Sequence, residues 1–298
     1  MLCEVQRRAK SARALFFIAL LSVLVSLSGA CAALRAPETP VNRPPRVGAG
    51  AAAYPVLLTE DDKRRDVALA TWNGLLTGTD KAIEPLLQPV TATVRGLPAT
   101  TSAYLPKVGT SMPMTEEETR ESLRLFLVSA SSLIGATPEQ LSLVERTDHA
   151  DGTKSARYEQ RPSRYPLRGG YGVLQITFAA DRRLLDVSST CIPDIENLQL
   201  AITNIPLQFT ADAAVQHIVN RPLTYTDARS GGERTLNVAP SDAATARELV
   251  LYPRLRLNGN PQALELHLCW EIAVGSGDAT TTRRVYLDAV TGEIINVE

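Results

Sequence analysis

The sequence has little of the chemistry that usually identifies an enzyme or a nucleic-acid-binding protein. Its 298 residues include three His, four Cys and two Trp, and 31 Lys and Arg stand against 32 Asp and Glu. The net charge of −1 gives no basic surface for nucleic acid, so we expect no nucleic-acid partner. The scattered His and Cys leave little room for a metal centre, and we expect no cofactor. The 44% of hydrophobic residues indicate a globular chain, and the length suggests about two domains.

The first thirty residues have the order of a secretory signal peptide. A basic region from Arg7 to Arg13 precedes an apolar run at residues 14–25, which is shorter than the ~20 residues of a spanning helix. Small residues then lead to Cys31, and this ending resembles a bacterial lipobox, from which Ser28 departs. We therefore predict export, with a lipid on Cys31 that anchors the protein to a membrane of the cell envelope. Cleavage without lipidation, which gives a periplasmic or secreted protein, is the alternative.

The exported part reads as a tether followed by two similar modules. Residues 31–55 are rich in Pro, Ala and Gly, which is typical of an extended tether. Residues 56–200 begin with a helical segment and continue with a helix that Thr115 and Glu118 cap, before a block of strands. Residues 205–298 repeat the order of helix and strands. This pattern predicts an α+β fold with two tandem cystatin-like modules, each a helix packed on an antiparallel sheet.

Two cysteines follow Cys31 in the chain. Cys191 and Cys269 both lie in strand-like runs, and an oxidising compartment would allow one disulfide between them. A bond that closes so long a loop would contribute ~4 kcal/mol in the chain-entropy account. We therefore keep two predictions, a Cys191–Cys269 disulfide or two buried thiols.

Several stretches of the chain carry a family resemblance. Residues 158–160, 165–170 and 173–178 resemble the fungalysin/thermolysin propeptide (FTP) domain, with Asp181 in the hairpin that follows. The Trp-Glu strand at residues 268–272 and the Asp-Ala-x-Thr-Gly-Glu hairpin inside residues 286–295 resemble the PepSY domain that follows it in such propeptides. The likeness covers roughly residues 115–298.

The resemblance implies a function without catalysis. In thermolysin-like peptidases this prodomain precedes a catalytic domain with the zinc-binding motif His-Glu-x-x-His. That motif is absent from this sequence, because none of His149, His217 and His267 has a second His four positions later. The family implies a peptidase inhibitor or folding assistant whose partner is an exported protein such as a secreted metallopeptidase, and we expect no enzyme activity. A structural envelope lipoprotein or scaffold with no peptidase partner is the alternative.

One cluster of residues is the best candidate for a partner-binding patch. Arginines and tyrosines cluster around the turn that follows one of the FTP-like strands, and a solvated turn is the alternative. The members of this predicted patch are Tyr158, Arg161, Arg164, Tyr165, Arg168 and Tyr171. A sheet edge of either module would be a second way to hold an extended peptide.

Two other groups of residues look like sites but have simpler interpretations. His267, Cys269 and Glu271 alternate on one strand and therefore share a face, where a metal or thiol site competes with an ordinary strand face. His149 lies between Asp148 and Asp151, whose side chains are typical of a turn. We expect His267, Cys269 and Glu271 to form an ordinary strand face and His149 to lie in a turn. We expect no catalytic residue and no metal ligand in either group.

Overall fold

The computed structural model describes residues 53–76, 83–100, 102–111, 114–226, 232–240, 242–256, 262–275 and 282–298. The chain divides into two compact units, Met1–Arg46 and Val47–Glu298, and every described residue belongs to the second. The predictions for the signal peptide, for Cys31 and for most of the tether lie outside the described residues. Within these ranges, no helix is both long enough and apolar enough to span a membrane.

The helices begin and end where the local sequence favours it. They are α1 (Asp62–Leu75), α2 (Glu116–Ser129), α3 (Ser131–Ile134), α4 (Ile195–Thr203) and α5 (Ala211–Ile218). The predicted capping box is present at α2, where Thr115 Oγ1 accepts the Glu118 N–H and Glu118 accepts the Thr115 N–H. Gly135 ends α3 in the left-handed conformation that glycine adopts without strain.

The strands form two main antiparallel sheets. They are β1 (Val56–Thr59), β2 (Leu86–Leu87), β3 (Val94–Gly96), β4 (Leu141–Asp148), β5 (Lys154–Gln160), β6 (Val173–Phe178), β7 (Leu184–Ser189), β8 (Pro222–Thr226), β9 (Glu233–Asn237), β10 (Ala243–Arg256), β11 (Ala263–Gly275), β12 (Arg283–Asp288) and β13 (Ile294–Val297). The first sheet has the order β4-β5-β6-β7. The second contains β1 and β10 to β13, while β2–β3 and β8–β9 are two-stranded.

The first sheet and α2 share one hydrophobic core. Alternate residues of β5 and β6 point into it, as the period of a strand requires. The buried members from the two strands and the helix include Ala156, Tyr158, Leu174, Ile176, Phe178, Leu123 and Phe126. The predicted arrangement of a helix with an antiparallel sheet is therefore present in the first module.

The second sheet has its own helix and takes a strand from the start of the exported part. Ala214 and Ile218 of α5 are buried in one cluster with Ile272 of β11. β1 pairs antiparallel with β11, where Val56 lies opposite Leu266. Residues 56–59, which the sequence assigned to the first module, therefore belong to the second sheet. The fold is α+β with several antiparallel sheets and few helices, while the cystatin-like description of each module stays a prediction.

The two cysteines are not bonded in this structure. Cys191 and Cys269 are both free, buried thiols. Cys191 belongs to the core of the first sheet, and Cys269 lies on β11 in a separate cluster with Tyr286. The disulfide prediction is therefore wrong for this structure, because each thiol is enclosed in a different core. Burial raises the pKa of the Cys191 thiol to about 11, so it stays protonated near neutrality.

Candidate functional site

The segment between β5 and β6 connects the two sheets. At its start, the buried Gln160 side chain exchanges two hydrogen bonds with the backbone of Ile192, at 3.0 and 2.8 Å. The segment then runs beside β10, where Leu251 N–H donates to the Pro166 carbonyl at 2.9 Å and Arg168 N–H donates to the Leu251 carbonyl at 3.0 Å. Part of the β10 edge is thus paired with the chain's own residues.

Two glycines in this segment are required by its close contacts. Gly169 has a φ of +69°, and a Cβ there would lie 2.8 Å from the Tyr252 ring. Gly172 has a φ of +77°, and a Cβ there would lie 2.7 Å from the Leu167 side chain. Any other residue at either position would strain the turn, and at Gly169 it would also collide with Tyr252 of the second sheet.

A cleft of about 570 Å³ opens along this segment, and we call it the arginine cleft. Its charged lining comes from β5, from the segment itself, from the start of β12 and from the residue that follows β13. The arginines that line it are Arg157, Arg161, Arg164, Arg168 and Arg284. Glu159 and Glu298 also line the cleft, so positive charge exceeds negative charge and the site favours an anionic ligand.

Arg168 is a structural member of the arginine cleft. Its Nε donates to Glu271 at 2.8 Å, and its Nη2 donates to Glu248 at 2.7 Å. The Glu271 side chain is only 4% exposed, so this ion pair compensates a buried charge that would otherwise be costly. Arg168 therefore holds the segment on the second sheet.

Three other arginines of the cleft are different. In the part of the chain that the structure describes, the guanidinium groups of Arg157, Arg161 and Arg164 have no ion-pair or hydrogen-bond partner. All three residues are exposed, so water solvates their charges. A planar guanidinium offers parallel N–H donors that match a carboxylate. These three groups are free to bind one or more carboxylates.

The structure brings together four residues of the predicted patch and corrects two. Arg161, Arg164, Arg168 and Tyr171 line the cleft. Tyr158 is only 7% exposed and lies in the core of the first sheet, so its inclusion was wrong. Burial raises its pKa to about 12.

Tyr165 packs against the second sheet's core and does not line the cleft. The alternation of side chains along β5 could have shown that Tyr158 is buried. The charged residues Arg157 and Glu159 share one face of the strand, and Tyr158 lies on the opposite face. Arg284 was missed because it is distant in sequence.

His267 lies in a second, buried group of charged residues. Its Nδ1 lies 2.7 Å from Asp288 Oδ2, which also accepts the Tyr54 hydroxyl at 2.7 Å. Its Nε2 lies 3.4 Å from Glu265, and Glu265 accepts two hydrogen bonds from Arg254. We call Tyr54, Arg254, Glu265, His267 and Asp288 the histidine network.

The histidine network has the parts of a catalytic dyad, but in the described part of the chain the hydrogen-bond partners of the His267 ring are two carboxylates and not a serine, threonine or cysteine. Both ring nitrogens of His267 face carboxylates, and burial raises the pKa of Cys269 well above its ordinary value. Among the described residues, no group of three or more His, Cys, Asp or Glu is placed to hold a metal ion. Asp288 further accepts the N–H groups of Val290 and Thr291. These bonds stabilise the hairpin and tie Tyr54 to the second sheet.

The remaining two candidates have structural roles. Glu271, the third member of the strand face, pairs with Arg168. At the turn after β4, Asp151 accepts the Thr153 N–H and hydroxyl, while His149 Nε2 lies 3.2 Å from the Ser155 hydroxyl. This is the turn that its composition predicts.

Comparison with known proteins adds little to this geometry. No family model matches the chain, and no curated protein matches it. Among solved structures, the chain is similar to the C-terminal domain of YpeB from Bacillus megaterium, with 13% sequence identity over 80% of this chain and 98% of that one. The TM-score of 0.30 is too low for an argument about fold or function. The FTP and PepSY resemblance therefore stays a prediction from sequence.

Proposed function

We propose that this chain is a non-catalytic binding module that holds a carboxylate-rich segment of an exported protein in the arginine cleft. The observation that carries the proposal is the group of three exposed guanidiniums without partners, Arg157, Arg161 and Arg164, in one cleft. Structural arginines in this chain are paired, as Arg168 and Arg254 illustrate. Unpaired arginines that converge on a cleft are better explained by a ligand.

The expected affinity of such a site is modest. An exposed arginine–carboxylate pair contributes roughly 0.2–1 kcal/mol, so three pairs together correspond to roughly a threefold to 150-fold gain in affinity. Added salt screens such pairs, so the affinity should fall as ionic strength rises. The hydrogen bonds of Pro166 and Arg168 with β10 fix the backbone of the segment, so binding has to order mainly the arginine side chains.

The partner and the location belong to the same proposal. The sequence pattern of a signal peptide and the lipobox-like ending at Cys31 support a lipid-anchored place at the cell envelope, with residues 31–55 as an extended tether that would give the module reach from the membrane. The FTP and PepSY resemblance supports a secreted metallopeptidase as the partner, with the chain as its inhibitor or folding assistant. An acidic surface segment of that peptidase would occupy the arginine cleft.

Binding of an acidic peptide tests the cleft directly. The full chain in mild detergent is titrated against fluorescein-labelled deca-glutamate, with labelled deca-lysine as the charge control, and fluorescence anisotropy is measured. We expect the chain to bind deca-glutamate and not deca-lysine, and the triple variant R157Q/R161Q/R164Q to bind deca-glutamate roughly threefold to 150-fold more weakly.

A matched triple variant separates the cleft from net charge. R95Q/K107Q/R183Q removes the same charge from exposed positions that do not line the cleft, and it should bind deca-glutamate as the unmodified chain does. Equal weakening in both triple variants would contradict a specific site.

A peptidase assay tests the partner. A thermolysin-type metallopeptidase is assayed on a chromogenic peptide, and its refolding yield is measured, each with increasing amounts of the chain. We expect slower hydrolysis or a higher yield, and the cleft variant should lose the effect. If neither quantity changes while deca-glutamate still binds, the scaffold alternative replaces peptidase control.

A further inference from the structure

A small apolar pocket adjoins the arginine cleft. It has a volume of about 130 Å³, and it shares Gly170 and Tyr171 with the larger cleft. Its apolar walls are Val90 from the β2–β3 turn, Leu255 from β10 and Leu264 from β11. An extended ligand that lies in the cleft beside Tyr171 therefore passes the opening of the pocket and can place a side chain in it.

The walls of this pocket are preformed and largely without free polar groups. Val90 is 3% exposed and Leu264 is 1% exposed, so neither can move far. The hydroxyl of Thr190, which also lines the pocket, accepts the Val173 N–H and donates to the Gly170 carbonyl. Leu255 is 40% exposed and offers apolar surface to an incoming group.

We propose that this pocket binds one apolar side chain of the same segment whose carboxylates occupy the arginine cleft. This inference rests on the proposed function and adds a specificity to it. The recognised sequence would then combine acidic residues with one residue of leucine, isoleucine or phenylalanine size. Burial of that side chain supplies affinity that salt does not screen, while the arginines fix the register of the segment.

The size of the pocket favours a side chain over a lipid tail. An apolar cavity of about 150 Å³ holds a molecule the size of benzene, so a pocket of about 130 Å³ holds a single side chain. The acyl chain of an anionic phospholipid has many more carbons and would remain mostly outside. We therefore commit to a peptide, although a phospholipid also combines negative charge with apolar groups.

Two labelled peptides of equal charge test this specificity. One is deca-glutamate with a single leucine inserted at its centre, and the other carries a serine at the same place. The full chain in mild detergent is titrated by fluorescence anisotropy against both peptides, beside deca-glutamate itself. Burial of one leucine predicts about tenfold tighter binding of the leucine peptide. That preference should persist in high salt, where both affinities fall.

The outcomes separate this inference from the proposed function. Equal affinities for the leucine and serine peptides, with deca-glutamate still bound, would overturn the inference and leave the proposed function intact. Failure of all three peptides to bind would overturn the proposed function itself.

Variants of the exposed wall locate the preference. L255W fills the mouth of the pocket and L255S removes an apolar wall, and both should bring the affinity ratio of the two peptides close to one. L200W is the matched control, since Leu200 is 51% exposed on α4 and does not line the pocket; it should keep the ratio. An unchanged ratio in both Leu255 variants would contradict the pocket.

Phospholipid vesicles provide the remaining comparison. Vesicles of phosphatidylglycerol are added to the complex with the leucine peptide, with phosphatidylcholine vesicles as the neutral control. We expect no displacement beyond that caused by an equal concentration of salt. Displacement that L255W abolishes would show that the pocket takes a lipid, and it would overturn the peptide assignment.

Discussion

The histidine network and the arginine cleft are both rich in charge, but they differ in how that charge is compensated. In the network, His267, Asp288 and Glu265 are nearly inaccessible to water, and each is paired. In the cleft, Arg157, Arg161 and Arg164 are exposed and have no partner among the described residues. Throughout the described ranges, every buried side-chain nitrogen or oxygen has a hydrogen-bond partner.

This difference separates residues that stabilise the fold from residues that are available to a ligand. A buried charge without a partner costs several kcal/mol, so a folded chain retains such charges only in satisfied networks. An exposed guanidinium is solvated at little cost, and its hydrogen-bonding capacity remains free. Arg168 belongs to both groups, because it lines the cleft while it compensates the buried Glu271.

Loss of Asp288 should be the largest single effect. D288A removes the acceptor of His267, of Tyr54 and of two backbone N–H groups, and it leaves buried donors without partners. We expect a loss of about 3–5 kcal/mol in the free energy of unfolding, measured by urea denaturation. D186A, at an exposed position, is the control and should change little. A loss near that of the control would mean that the network is not structural.

Arg168 should give an intermediate effect. R168Q leaves the buried Glu271 with only the more distant Arg284, whose Nε is 3.9 Å away, so we expect a loss of about 2 kcal/mol in urea denaturation. R161Q removes a neighbouring arginine of the same cleft and should leave the unfolding free energy nearly unchanged. Equal stability of the two variants would remove the distinction between the anchoring and the free arginines.

Local features of the fold were predictable from the sequence, and non-local ones were not. The capping box at Thr115 and the alternation of β6 depend on neighbouring residues, and the structure contains both. The pairing of β1 with β11 joins Val56 to Leu266, more than two hundred positions apart. No periodicity within either segment specifies such a partner, so the sequence grouped residues 56–59 with the first module instead of with the second sheet.

The candidate site was partly predictable for the same reason. Arg161, Arg164 and Arg168 follow one another along a single segment, so spacing alone placed them together. Arg284 joins them only because β12 lies beside β11 in the second sheet. The contact of Tyr54 with Asp288 likewise requires the folded chain, and the network therefore could not be assembled from the sequence.

Acid should affect the network and should distinguish it from the cleft. Burial alone would raise the pKa of Asp288, but hydrogen bonds from His267, Tyr54 and the backbone outweigh burial and lower it. The pKa of Asp288 is therefore lower in the folded state than the value of about 4 expected in the unfolded chain. The ionised carboxylate stabilises the fold above about pH 4, and this contribution is lost as the pH falls through the folded-state pKa. D288N should therefore show a weaker decline of stability below about pH 4 in urea denaturation. An identical decline in both proteins would place the acid-sensitive group elsewhere.

The smallest expected effect completes the comparison. In R157Q/R161Q/R164Q, no described partner loses a bond, and repulsion among like charges is relieved, so the free energy of unfolding should stay within about 0.5 kcal/mol of the unmodified value. Urea denaturation at low ionic strength measures it, with R95Q/K107Q/R183Q as the matched variant. A loss above about 1 kcal/mol in the cleft variant alone would mean that these arginines stabilise the fold. Their lack of partners would then no longer support a ligand, because the cleft and the histidine network would serve the same purpose.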